Sequence, residues 1–289
     1  MNSMIVYLAG LQIFLLLLTL GIALVLLHKT RKIHLATYDL QSAGRETRML
    51  FAQIQSLLAL ERKLGLAEPL PPMRGWVGSP DFLLRVANSV LERKPETVME
   101  CSSGVSTLVI ARCLQIIGRG HVYSLEHDAT YANTTRDLLA RYGLSEWASV
   151  IDAPLQTEHT ETPWYSERLI PSDLAPIDML VVDGPPATTA PLARFPALPR
   201  LAGRMADRSL VIVDDASRPD EVEMVKRWRK LFPGGVFTDC YCEKGCVMLA
   251  FDRPLTAGQG SGSDATRPNS SGTAGEPMRD AAVGARSRA

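Results

Sequence analysis

From Thr97 to Phe251 the chain alternates short apolar runs with stretches of helical periodicity, and this alternation limits the possible folds more than any other feature. The runs are TVMEC, HVYSLE, ASVI, DMLVVD, SLVIVD and, closing the series, VFTDC and CVMLAF. Between them lie VSTLVIARCLQII, ATYANTTRDLLARY, a loop-rich segment over 153–176, the proline-broken PLARFPALPRLA, and EVEMVKRWRKLF. Near-continuous apolar runs suit strands buried on both faces, and strand–helix repetition builds a parallel sheet with helices on either side. Only a short turn around Glu243-Lys-Gly245 separates the last two runs, which predicts a hairpin. The expected fold is α/β: a doubly wound, mostly parallel, Rossmann-like seven-stranded sheet with a terminal antiparallel hairpin, preceded by one transmembrane helix.

That preceding helix is read from residues 4–27, MIVYLAGLQIFLLLLTLGIALVLL, which carry no charge. At about 1.5 Å per residue such a helix crosses a hydrocarbon layer of roughly 30 Å. The start, Met-Asn-Ser, lacks the basic region of a cleaved signal, and the exit reads HKTRK. An uncleaved single-pass anchor follows, with Lys29, Arg31 and Lys32 holding the rest of the chain in the cytoplasm. The implied organisation is an anchor over 1–28, a juxtamembrane helix and linker over 29–74, a folded domain over 75–252 and a disordered tail over 253–289. The tail is rich in Gly, Ser, Ala, Thr and Pro and cannot bury enough surface to order itself. In the juxtamembrane helix Ile33, Leu40 and Ile54, with Leu50, Leu57 and Leu64, follow a seven-residue repeat weakened by Gly44, Thr47 and Glu61. It reads either as a stalk that makes a homodimer or as a helix packed on its own domain. A helix start is expected at Ser79-Pro80-Asp81.

Charge and cysteines narrow the partners. Lys+Arg 31 balance Asp+Glu 31, so nothing general favours nucleic acid. Five scattered cysteines are no disulfide framework, and Cys240, Cys242 and Cys246 lack a fourth zinc ligand, so they read as buried thiols.

In an open parallel sheet ligands bind beyond the carboxyl ends of the strands. Glu100, Glu126, Asp152, Asp183 and the pair Asp214-Asp215 stand at five successive strand ends. One such acid is explained by capping the next helix; five along one edge call for a ligand. A carboxylate after the second strand, Glu126, suits the two hydroxyls of a ribose. The first turn, ECSSGVST, has neither the G-x-G-x-x-G set of a dinucleotide site nor the lysine of a P-loop, and Glu100 would repel a phosphate. An acid there suits an ammonium group, while the amides of residues 102–106 and the hydroxyls of Ser106 and Thr107 suit a carboxylate. Ribose plus an amino acid headgroup is S-adenosylmethionine (SAM).

The order VMECSSGVST, VYSLEHD, IDAPL, DMLVVDGPP, LVIVDDASRPDE resembles the class I SAM-dependent methyltransferases, and its DGP and DD elements resemble the branch that includes catechol O-methyltransferase. The similarity spans roughly residues 75–251. It implies that Glu100, Ser102, Ser103, Gly104 and Ser106 surround the methionine end of SAM, Glu126 binds the ribose, His127 flanks the nucleoside, and Asp152 with Ala153 approaches the adenine. Where the family has E-x-G-x-G, Ser102 replaces the first glycine, which suits the same turn only with ordinary backbone angles. In the metal-dependent branch the positions of Asp183, Asp214 and Asp215 hold Mg²⁺, with Asp183 the candidate catalytic residue. The lysine base of that branch is replaced by Gly184-Pro185-Pro186, which leaves the base unassigned. Three close carboxylates would raise one another's pKa unless a cation joins them. The loop residues His159, Trp164 and Tyr165 read either as an acceptor lid or, for the two aromatics, as packing over the sheet, with packing favoured for Trp164; His159 is a further candidate base.

The expected activity is methylation of an oxygen on a small-molecule or glycan acceptor, by an enzyme tied to the lipid bilayer. Two other readings stand beside it: an inert adaptor of the same fold, and an NAD-dependent oxidoreductase.

Overall fold

The structure, a computed structural model, describes residues 2–73, 75, 77–157 and 162–255. Helix α1 (Asn2–Leu64) runs unbroken. Its stretch Gly10–Thr30 is fully exposed and is long and apolar enough to cross a membrane. Its final turns serve the domain instead: Leu60 and Leu64 are wholly buried, and Leu70 follows them into the core. Packing on its own domain therefore holds for this end of the helix, and the core starts upstream of residue 75. Helix α2 (Pro80–Arg93) begins after Ser79, whose hydroxyl caps no amide but donates to Asp81 Oδ1 at 2.6 Å. Asp81 Oδ1 accepts from the amide of Phe82 and Oδ2 from that of Glu243, tying the helix start to the distant hairpin.

The alternation then folds largely as its period demands. Strand β1 (Thr97–Cys101) leads to α3 (Val105–Ile117), β2 (His121–Glu126) to α4 (Ala129–Arg141), and then comes β3 (Ala148–Asp152). The segment expected to be loop contains a short antiparallel ribbon, β4 (Leu155–Gln156) against β5 (Trp164–Tyr165). Each of its strands is too short to leave a periodic signal. Strand β6 (Ile177–Val182) and the short helix α5 (Ala197–Leu201) precede β7 (Met205–Val213), which begins ahead of the apolar run at Ser209. Helix α6 (Pro219–Leu231) and the hairpin β8 (Val236–Cys240) and β9 (Cys246–Phe251) complete the sheet.

The seven strands lie in the order β3-β2-β1-β6-β7-β9-β8, all parallel except β9, which runs antiparallel to both neighbours. Period-two alternation divides the core. Val98, Val122, Met179, Val181, Leu210 and Ile212 face α2, α3 and the end of α1. Met99, Leu125, Leu180, Val182, Val211 and Val213 face α5, α6 and the β4–β5 ribbon. From β1 the chain winds outward to β3, then crosses back to β6 on the other side of β1. The reversal opens a crevice at the carboxyl ends of β1 and β6. The five cysteines are free, with Cys242 and Cys246 buried. Apart from its first residues, the tail expected over 253–289 lies outside the described residues, as does His159.

Candidate functional site

Backbone pairing aligns the acids along this edge. Glu126 is in register with Asp152, and the amide of Ala153 donates to the carbonyl of Glu126 at 2.7 Å. Beyond the last pairs of β1, β6 and β7, the amide of Asp183 donates to Cys101 O and that of Asp214 to Val182 O. The chain thus leaves Ser102, Glu126, Asp183 and Asp214 at one crevice. Glu100 does not end its strand: it pairs with Ser124 and Val181 inside the sheet, and its side chain is fully buried. Its Oε2 accepts from the hydroxyls of Thr107 and Ser124, both at 2.6 Å, and Oε1 has no partner. Burial raises its pKa against the lowering effect of Ser106, Ser124 and Thr107.

The turn after β1 is tight and already engaged. The amide of Ser102 donates to Leu125 O, that of Ser103 to Glu126 Oε2 at 3.1 Å, and that of Gly104 to Thr107 Oγ1 at 3.0 Å. Ser102 has φ +108°, so the glycine position is met by a serine in a region that favours glycine, and the expectation of ordinary angles does not hold. The packing shows why residue 184 cannot be larger: a Cβ on Gly184 would lie 2.4 Å from Tyr165 Oη and 2.9 Å from Ser102 Cβ. Glu126 is 4% exposed and takes four hydrogen bonds, two on Oε2 from the amide and hydroxyl of Ser103 and two on Oε1 from the amides of His127 and Asp128. His127 Nδ1 lies 2.9 Å from Glu126 Oε1, near enough for an ion pair though not angled for a hydrogen bond. Gly104 caps α3 and Ser106 is buried in its first turn. Asp152 is exposed and pairs with Arg136 at 2.9 Å, while Ala153 is buried.

Across the crevice, one oxygen from each of Asp183, Asp214 and Asp215 lies within 4.8 Å of the others. A cation already stands beside them. Arg194 is 4% exposed; its Nη2 donates to Asp215 Oδ2 at 2.9 Å and to Asp183 Oδ1 at 3.4 Å, and its Nε lies 3.7 Å from Glu221 Oε1. Arg218 adds a pair to Asp215 Oδ2 at 2.7 Å. Four carboxylates against two guanidinium groups and the ammonium of Lys244, which lines the same cavity, still leave the negative charge in excess. Burial accordingly pushes Asp183 up to about 7, with Arg194 opposing the rise and Asp215 adding to it. Asp214 is also raised, by burial and then by Asp183 and Asp215. The Oδ1 atoms of Asp214 and Asp215 are buried without a hydrogen-bond partner. Orphan carboxylate oxygens at this spacing fit a hard divalent cation such as Mg²⁺.

Both halves line one cavity of about 230 Å³, with Ser102, Ser103, Glu126 and His127 on one side and Asp183, Arg194, Asp214 and Asp215 on the other. Residues 101–216 match a family model described as a methyltransferase domain. The chain carries a methyltransferase domain. Among solved structures, a Podospora anserina methyltransferase bound to SAH has a TM-score of 0.50 at 12% identity, covering 74% of this chain and 95% of its own. At that identity it shows the fold, the class I architecture that the sequence resembles. Also similar are an O-methyltransferase from Bacillus cereus in complex with SAH (TM-score 0.48, 16% identity, 68% and 90% covered) and the O-methyltransferase TomG from Streptomyces achromogenes with SAM (0.45, 17%, 69% and 88%). No curated protein matches the sequence.

Some of the expected residues do not line the cavity of the methyltransferase domain: Glu100, Gly104, Ser106, Asp152 and Ala153 lie outside its lining. Several that do were not anticipated. Tyr131, Thr188, Arg194, Arg218 and Lys244 come from α4, from the loop after β6, from the approach to α6 and from the β8–β9 turn. Arg194 left only a weak signal, an arginine within an apolar, proline-broken segment; it stands 11 residues from Asp183 and 20 from Asp214, and only the fold brings them together. Lys244 had none, because its approach depends on two hydrogen bonds between turns, Ala216 N to Gly245 O and Ser217 N to Lys244 O.

Proposed function

We propose that this domain transfers a methyl group from SAM to an oxygen of a small-molecule or glycan acceptor, with Mg²⁺ held by Asp183, Asp214 and Asp215. The observation that supports this best is the facing arrangement of the cavity: a ribose-type acid beside the β1 turn on one wall, and carboxylates with orphan oxygens on the other. Glu126 would take the ribose hydroxyls by giving up the Ser103 hydroxyl, which has a second partner in Thr135 at 3.0 Å. The SAH in the Podospora structure agrees with such a cofactor.

Methyl transfer is an in-line displacement in which the acceptor oxygen attacks the sulfonium methyl carbon, the sulfur leaves with the bonding pair, and the acceptor hydroxyl gives up its proton to solvent water. Little chemistry is asked of the protein beyond alignment, so positioning supplies most of the effect. The bound cation would lower the pKa of the acceptor hydroxyl. Arg194 keeps Asp183 and Asp215 apart from mutual repulsion and in place. Residues 4–27 would anchor the enzyme, and the basic residues after them would keep the domain in the cytoplasm.

Calorimetric titration of the full chain in detergent with SAH tests the cofactor site. We expect micromolar binding, weakened at least about tenfold, or roughly 1.4 kcal/mol, in Glu126→Ala. Equal affinity in the variant removes Glu126 from the site, and no binding by folded wild type supports the adaptor. Loss of the free Mn²⁺ resonance on adding protein, abolished in Asp214→Asn, tests the metal separately.

A further inference from the structure

Leu50, Phe51, Ile54 and Leu58 are 50, 69, 46 and 61% exposed. At 100° per residue they share one arc of about 100° on α1. The arc beside it, carrying Gln53, Leu57, Leu60 and Leu64, is the one that packs on the domain. The seven-residue repeat therefore does not form a single seam. Leu57 and Leu64 are spent on the domain, while Leu50 and Ile54 remain outside it with Phe51 and Leu58 beside them.

We propose that this stripe is the contact surface for a second copy of the chain, joined as a parallel, two-fold symmetric pair of α1 helices. The proposal rests on residues 4–27 being a membrane anchor. Lipid does not reach the stripe: Leu50 is twenty residues past Thr30 on an unbroken helix, roughly 30 Å further along its axis. The residues after 255 carry almost no large apolar side chain to cover it. A second copy fits better than an unrelated partner for a geometric reason. An N-terminal anchor of one orientation makes all copies parallel and sets the stripe at one height, so each copy presents the same patch to the other with no stagger, as a two-fold contact requires.

The test uses the full chain in a mild detergent, with its mass measured by light scattering after subtracting the micelle. Wild type is expected at twice the 31.6 kDa chain mass, and Leu50→Glu with Leu58→Glu at the single mass. Both residues are exposed, so an unchanged melting temperature certifies the fold of the variant. In membranes, Ile54→Cys under mild oxidation should give a crosslinked pair on a non-reducing gel, and Ala59→Cys, on the far side of the helix, should not. A wild-type chain of single mass, a glutamate variant that stays double, or equal crosslinking at both positions overturns the proposal. Resistance of the chain to alkaline extraction from membranes reports on the anchor independently, so failure of that reading is told apart from failure of the dimer.

Discussion

The packing of the end of α1 into the domain can be tested by where the domain is cut. Two soluble fragments, 50–255 and 75–255, differ in the turns that carry Leu60, Leu64 and Leu70, which are 0, 0 and 8% exposed. Burying a leucine is worth about 1.5–3 kcal/mol, so the three together contribute roughly 5–9 kcal/mol, less about a quarter for a compact denatured state. The shorter fragment also loses the bonds from Arg112 Nε to Leu64 O and from the Asp81 amide to Gln53 Oε1, and the Arg141–Glu68 pair. A net loss of about 5 kcal/mol compares with a total stability of about 5–15 kcal/mol for an ordinary domain. With a urea m value of about 2–3 kcal/mol/M, the midpoint of 75–255 should fall by roughly 2 M, or the transition should lose its cooperativity. The damage should reach the site as well, because Gly75 lines the cavity and Val77 O accepts from Lys244 Nζ. Fluorescence and circular dichroism in urea measure both fragments directly. Coincident midpoints would refute the reasoning and return the start of the domain to residue 75.

Further predictions concern the acid cluster. Arg194→Met leaves Asp215 and Glu221 buried with one cation fewer, and should cost about 3–5 kcal/mol. Mn²⁺ should raise the melting temperature of this variant more than that of wild type; equal shifts would mean that Arg194 and the ion do not share the same charge. With divalent cations chelated, Asp183, whose folded pKa of about 7 lies above the unfolded value, favours the native state only while protonated. Its contribution is full below about pH 4 and is lost as pH rises to about 7. Asp183→Asn should flatten that part of the stability profile, and an unchanged slope would assign the titration elsewhere.

Much of the architecture was readable because buried strands and helices impose periods. VSTLVIARCLQII spans the same residues as α3, and HVYSLE the same as β2. The β4–β5 ribbon was not readable, since two residues per strand carry no period. The site was legible where it depends on strand ends, as for Glu126, Asp183, Asp214 and Asp215. It was misread where side-chain direction matters: Glu100 looks like a strand-end acid in one dimension but lies inside the pleat, held by Thr107 and Ser124. Ser102 could be suspected as a departure from glycine, but its φ of +108° accompanies contacts across the sheet that local sequence does not encode, the amide bond to Leu125 O and the close approach of Gly184.

The placement of β9 between β7 and β8 has a consequence during synthesis. A ribosome that has finished β7 must add α6, β8, the hairpin turn and β9 itself, roughly 40 residues, before the open edge of β7 can be covered. At about 5–20 residues per second that edge stays unpaired for some 2–8 seconds. Val211 and Val213, fully buried once folded, are in that interval part of an exposed apolar strand edge, the kind of surface that recruits other nascent chains. A newborn copy is thus most vulnerable to aggregation after most of its sheet has been made and before its last strand arrives.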